Sequence, residues 1–63
     1  MELLTITEVA AELRVPVATV RSWRAAGRGP KSFKLPGARH VVYARADVEA
    51  FIEAGRNGVP DNR

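Results

Sequence analysis

The sequence predicts a mainly α-helical domain with one small β-hairpin, in the order helix, helix, two-stranded hairpin, helix. Three observations carry that reading. Thr5-Ile6-Thr7-Glu8 is a capping box followed by apolar residues at helical spacing. Pro16 separates that stretch from a second periodic one by a tight turn, and Pro36-Gly37 lies between two short runs of β character. The 63 residues suffice for one small domain. A domain of that size buries only roughly 60% of the surface its unfolded chain exposes, which argues against a deep enclosed active site.

In the capping box the Thr5 hydroxyl accepts from the Glu8 N–H, while the Glu8 carboxylate reaches back to the N–H of Thr5. Leu4 and Val9 occupy the positions of a hydrophobic staple, and Val9, Ala10 and Leu13 continue one apolar stripe. The first helix is therefore predicted from about Ile6 to Arg14. Pro16 stops it and can itself only begin a new helix. The second helix is predicted from about Val17 to Ala26, with Gly27 able to take the left-handed cap conformation. Stepping about 100° per residue from Val20 puts Trp23 and Gly27 on the same side, which fixes the buried direction. Trp23 is thus expected in the core rather than stacked on a ligand. The opposite face holds Ala18, Arg21, Ser22 and Ala25, small residues that permit close approach to another surface, with one arginine projecting from it. Arg24 falls on the shoulder, where its stem can follow the core and its head reach water or phosphate. Thr19 is placed to brace the first turn.

After Gly29-Pro30, the runs Lys31 to Leu35 and His40 to Tyr43 are predicted as the hairpin strands, with Phe33, Leu35, Val41 and Tyr43 facing inward and Lys34, Arg39 and His40 outward. A two-stranded hairpin is marginal alone and must lean on the helices. A last helix, about Ala46 to Ala54, carries Val48, Phe51 and Ile52 at helical spacing, Asp47 and Glu49 in its first turn, and Gly55 as its stop. Residues 1–54 form the predicted domain. Residues 55–63, rich in turn formers and without apolar periodicity, read as a flexible tail.

The formal charge of +3 conceals a segregation. Between Arg14 and Arg45 lie eight cations and no carboxylate, whereas the rest of the chain has two cations against seven carboxylates. A solvated surface normally mixes its signs, so a polyanion partner suits this arrangement better. The chain has no cysteine and one histidine, which leaves no disulfide framework and no metal ligand set. The start Met1-Glu2-Leu3-Leu4 is no signal peptide, and no run approaches the ~20 apolar residues of a membrane span. A soluble cytoplasmic protein without membrane partner is the expectation. Catalysis finds little support: Ser22 and Ser32 lie in cationic segments, His40 has no evident acid partner, and Gly27-Arg28-Gly29 lacks the downstream lysine and hydroxyl of a phosphate loop. No cofactor and no small-molecule ligand are expected.

Two helices with a tight turn, an outward face of small residues plus arginine, and a cationic hairpin give the outline of a winged helix-turn-helix, whose second helix fits the major groove of duplex DNA. Arg21 is the candidate base reader. Arg28, Lys31 and Lys34 are candidate phosphate ligands that position rather than specify, and His40 a further phosphate contact. A basic protein-interaction module, with Phe33 or Tyr43 anchoring an acidic partner, is the alternative from another class.

The blocks Leu4-Thr5-Ile6-Thr7-Glu8-Val9-Ala10, Thr19-Val20-Arg21-Ser22-Trp23 with Gly27, Gly29-Pro30, Val41-Val42-Tyr43 and Asp47-Val48-Glu49-Ala50-Phe51 resemble, in that order, the excisionase branch of the MerR-like winged helix-turn-helix proteins. The resemblance covers about Leu3 to Ala54. It implies a DNA-binding architectural factor of bacteria, phages or integrative plasmids that bends attachment-site DNA and steers an integrase toward excision; some members are instead small transcription regulators. It places recognition-helix contacts at Ala18, Thr19, Arg21, Ser22 and Ala25, and wing contacts at Gly37, Ala38, Arg39 and His40. Two positions depart from the pattern. Pro16 stands where relatives often have a side-chain cap, and Ser22 where they often have arginine, which shifts base reading to Arg21. Several copies on adjacent sites and an integrase are the implied protein partners.

Overall fold

The computed structural model describes residues 1–58. The capping box forms as the sequence predicts: the Glu8 N–H donates to Thr5 Oγ1 at 3.1 Å and the Thr5 N–H to Glu8 Oε1 at 2.8 Å. It starts α1, Ile6–Leu13. This helix ends in a Schellman arrangement, in which the Val15 N–H reaches the Ala10 carbonyl at 3.0 Å and the Arg14 N–H reaches that of Ala11 at 3.2 Å. Arg14 lies outside the helix as its left-handed terminator, with φ of 59°.

The second helix, α2, spans Val17–Ala25, and its N-cap Pro16 has no side-chain oxygen to offer. The Pro16 carbonyl instead accepts from the N–H groups of Thr19 and Val20 at 3.0 and 3.4 Å. A second Schellman arrangement closes α2. The Arg28 N–H donates to the Trp23 carbonyl at 2.7 Å, the Gly27 N–H to that of Arg24 at 3.2 Å, and Gly27 takes φ of 75°.

A three-stranded antiparallel sheet replaces the two-stranded hairpin expected. Its strands are β1, Leu3–Leu4, β2, Phe33–Lys34, and β3, Val41–Ala44, in the spatial order β1-β3-β2. Leu3 pairs with Ala44 and Leu4 with Tyr43, while Phe33 pairs with Val42 and Lys34 with Val41. Both hairpin strands are shorter at their outer ends than the sequence predicts. Leu35, expected inward, is 43% exposed, because it already belongs to the Leu35–Ala38 turn. There the Ala38 N–H reaches the Leu35 carbonyl at 3.0 Å, and Gly37 supplies the positive φ that follows proline in a type II turn.

Strand β3 runs directly into α3, Arg45–Arg56. Gly55 does not stop this helix, which passes through it to Asn57, so Arg56 sits on α3 and pairs with Glu53 at 3.1 Å. Of the segment read as a tail, residues 59–63 lie outside the described ones. Val48 is fully buried and Phe51 half-buried, but Ile52 is 38% exposed, one step past the inward stripe.

Leu4, Val9, Ala10, Val20, Tyr43 and Val48 form the buried core, one or two from almost every element, with Ile6, Leu13, Val15, Val17 and Val41 packed around them. The Leu4–Val9 staple is inside that cluster. Trp23 is not in it: half-buried at the edge of the core, it packs against Phe51 with ring centroids 5.5 Å apart and against the backbone at Gly29. A Cβ at Gly29 would lie 3.1 Å from Trp23 Cβ and Cε3, and its φ of 78° already disfavours any other residue.

These two helix ends make a matched pair of predictions. Arg14→Gly removes the left-handed cost of a side chain, about 1–2 kcal/mol, against the 0.5–1 kcal/mol that glycine's freedom costs. It raises the melting temperature by a few degrees, roughly 4–8 °C per kcal/mol in so small a domain. Gly29→Ala lowers it more than Gly27→Ala does, since only Gly29 meets Trp23. Circular-dichroism melts of the three variants check both orders.

Candidate nucleic-acid interface

The side chains of α2 separate as their phase requires. Val20 is buried and Trp23 half-buried, while Ala18, Arg21, Ser22, Arg24 and Ala25 are exposed. Thr19 is half-buried and its N–H is spent on Pro16. The outward face therefore carries Arg21 flanked by small residues, with Arg24 exposed on its shoulder.

A groove of about 470 Å³ opens between this helix and the sheet. Arg21 and Arg24 line it from α2, Lys34 from β2, and Arg39 and His40 from the loop before β3, whose Val41 and Val42 form part of its wall. Thr5, Ile6 and Thr7, the first turn of α1, close its far side. Sequence reasoning missed this last contribution. The capping box marks where α1 begins, but the pairing of β1 with β3 that swings that turn toward the wing has no local signal.

Not every expected site residue comes to the groove. Ala18, Ser22 and Ala25 stay on the outer face of α2, Thr19 is half-buried beside them, and Gly37 stays at the wing turn. Lys31 is exposed on the approach to β2. Arg28 is half-buried, with its Nε withdrawn from solvent, so it is less open to a ligand than a surface arginine.

Charge pairing sharpens the picture further. Among the described residues no ion pair engages Arg21, Arg24, Lys34 or Arg39. Arg45 is different: its Nε donates to Glu2 Oε1 at 2.7 Å and its Nη1 to Glu12 Oε1 at 3.3 Å. The hydrogen bond that the guanidinium donates to Glu2, followed by the one to Glu12, holds it further above its ordinary range. One of the eight central cations thus serves the fold. Glu2 and Glu12 are taken up by Arg45, Glu8 by the capping box and Glu53 by Arg56, so four of the seven carboxylates are occupied locally.

A close-approach helix face beside a groove of unpaired cations is suited to a polyanion with a repeated backbone charge. A family model described as a helix-turn-helix domain matches residues 3–56, from β1 to the end of α3. The chain belongs to this helix-turn-helix family. No curated protein and no solved structure matches it. Membership makes DNA the partner of this helix-turn-helix protein and joins α1 and α2 as the paired helices. Among the described residues no helix is long and apolar enough to cross a membrane, and no group of histidine, cysteine and carboxylates is arranged to hold a metal ion.

The division of labour between Arg45 and Arg39 is testable. Arg45→Ala lowers the melting temperature and leaves duplex affinity of the folded protein within about twofold, because none of its contacts lies in the groove. Arg39→Ala does the reverse, and reduces the slope of log affinity against log salt by about 1. Thermal melts and fluorescence anisotropy below both transition temperatures distinguish them.

Proposed function

We propose that the protein binds duplex DNA with α2 in the major groove and the wing along the sugar–phosphate backbone, and that it acts as an architectural excisionase. In this reading it bends attachment-site DNA, binds as several copies on adjacent sites and directs an integrase toward excision. The observation that supports the binding mode is the continuity of α2's exposed face with the four-cation groove. Arg21 stands at the border of the two, so a strand held in the groove brings the base edges under Ala18, Ser22 and Ala25. Arginine is the side chain best matched to the paired acceptors of guanine, and alanine methyl groups to that of thymine. Lys34, Arg39 and His40 supply backbone contacts, and Arg28 and Lys31 extend them along the approach to the wing.

The need for several copies follows from the reading helix itself. Nine residues rise about 14 Å, or roughly four base pairs at 3.4 Å each. That is too short a stretch to mark one site in a genome. Adjacent copies lengthen it, and bending the DNA between them is what an architectural role requires. The resemblance of the sequence to excisionases supports the recombination role.

Arg21→Ala is expected to weaken binding to the cognate duplex more than to random DNA, while Lys34→Ala weakens both alike. Log affinity should fall with log salt at about −0.9 per phosphate neutralised. Absence of duplex binding at low salt would contradict the reading. Footprinting on DNA flanking the protein's own gene, with and without a neighbouring integrase, tests the biological role. Protection of attachment-site arms with stimulated excision supports it; promoter protection with altered transcription and no effect on excision would make the protein a transcriptional regulator.

A further inference from the structure

The turn that joins β2 to β3 presents apolar side chains to water. Leu35 is 43% exposed, and Pro36 beside it is exposed as well. An exposed leucine is ordinary on a protein surface; what sets this one apart is its place. Among the described residues the other large exposed apolar side chains are Met1, Leu3 and Ile52, at the chain start, on β1 and on α3, none of which lines the cationic groove. Leu35 instead follows Lys34 directly, and the chain returns from the turn through Arg39, so groove cations bracket it on both sides.

The four residues of the turn, Leu35-Pro36-Gly37-Ala38, include no polar side chain. Their side chains can neither neutralise a phosphate nor hydrogen-bond a base edge; they can only pack. The tip is also thin and open, since a Cβ added at Gly37 would meet nothing within 4 Å. Pro36 fixes its own φ and restricts Leu35 to extended conformations, which leaves the pair little conformational freedom to lose on contact. With α2 in the major groove and Lys34 and Arg39 on the backbone that borders it, the tip beyond them lies over the minor groove on the far side of that strand. The minor groove is about 6 Å wide, and the backbones of paired strands lie about 4.8 Å apart.

We propose that Leu35, backed by Pro36, is a wedge that enters a base step from the minor groove, and that this insertion is what bends the DNA. The inference rests on the DNA-binding mode above and adds to it the residue that does the bending. Apolar side chains inserted in this way unstack the step and kink the duplex by roughly 20–90°. Lys34 and Arg39 hold the backbone on either side of the entry point, and their attraction to phosphate offsets the lost stacking. A sequence preference follows without any hydrogen bond to a base. Pyrimidine–purine steps unstack most readily, so the wing favours TA and CA/TG steps over stiffer ones.

The test uses the full chain and a G·C-rich duplex of about 24 base pairs with one central TA step, labelled at its ends with a donor and an acceptor dye. A second version carries 2-aminopurine in place of the adenine of that step, a base that brightens when unstacked. Wild type is expected to shorten the end-to-end distance by a kink of at least about 20° and to brighten the 2-aminopurine. Leu35→Ala, an exposed change whose folding a thermal melt verifies, should still bind but leave the duplex straight and the probe dark. Leu35→Met keeps an apolar wedge and should restore both signals. The salt slope of Leu35→Ala should match that of wild type, because leucine neutralises no phosphate. A mismatch at the central step weakens its stacking beforehand; wild type should bind that duplex roughly tenfold tighter than the matched one, and Leu35→Ala no tighter. Bending and brightening that persist in Leu35→Ala overturn the wedge while leaving the DNA-binding mode intact. A duplex that wild type binds but leaves straight overturns the wedge and the architectural role together. If neither protein binds duplex at low salt, it is the DNA-binding reading that fails.

Discussion

The middle strand of the sheet is the constraint on which the other elements depend. It is flanked on both sides, by Leu3–Leu4 and by Phe33–Lys34, it places Tyr43 in the centre of the core, and it passes without a loop into α3. Arg45, at that junction, fastens it to the start of the chain. Its N–H donates to the Glu2 carbonyl at 2.9 Å, and its guanidinium spans Glu2 and Glu12. The ends of β1 and α1 are thus fixed relative to α3 by one residue. A domain with so few fully buried side chains has little hydrophobic surplus, and the Arg45 contacts restrict the sliding of two-residue strands that their own ladder bonds hold weakly.

From that constraint the groove follows. Pairing of β1 with β3 sets the first turn of α1 beside the wing, and the short turn at Arg14 and Val15 sets α2 across it. The cations of the central segment then converge although they come from three separate elements. Arg45 shows that sequence proximity alone does not place a cation in the site: eleven residues past Lys34 and six past Arg39, it turns toward the acidic N-terminal segment and leaves the groove. Four of the seven carboxylates are held in the cap and in ion pairs, and none lines the groove.

Most of the architecture was legible in local signals because those signals are covalent or steric. The capping box and the prolines at 16 and 36 restrict backbone geometry within a few residues, the glycines at 27 and 37 permit the positive φ their turns need, and the elements begin or turn where these residues stand. The outward face of α2 was likewise legible, since Val20 and Trp23 fix its phase. What escaped were tertiary effects. A two-residue strand has no alternation to read, so β1 appears in the sequence only as half of a hydrophobic staple. Gly55 reads as a stop, yet the backbone of α3 continues through it. Arg14 carries no sign of its left-handed conformation, because glycine or asparagine is the usual residue there. The participation of Thr7 and its neighbours in the groove depends on strand pairing across some forty residues, and no spacing rule reaches that far.

In the proposed binding mode, DNA lies on the surface made by α2, the wing and the first turn of α1. Amide NMR of the isotopically labelled protein, titrated with an unlabelled duplex at moderate salt, tests it most directly. Perturbations are expected at Ala18, Arg21, Ser22 and Arg24, at Lys34, Arg39 and His40, and at Thr7, with α3 from Glu49 to Arg56 little changed. Perturbations centred on α3, or none at a concentration where binding is saturated, would contradict it.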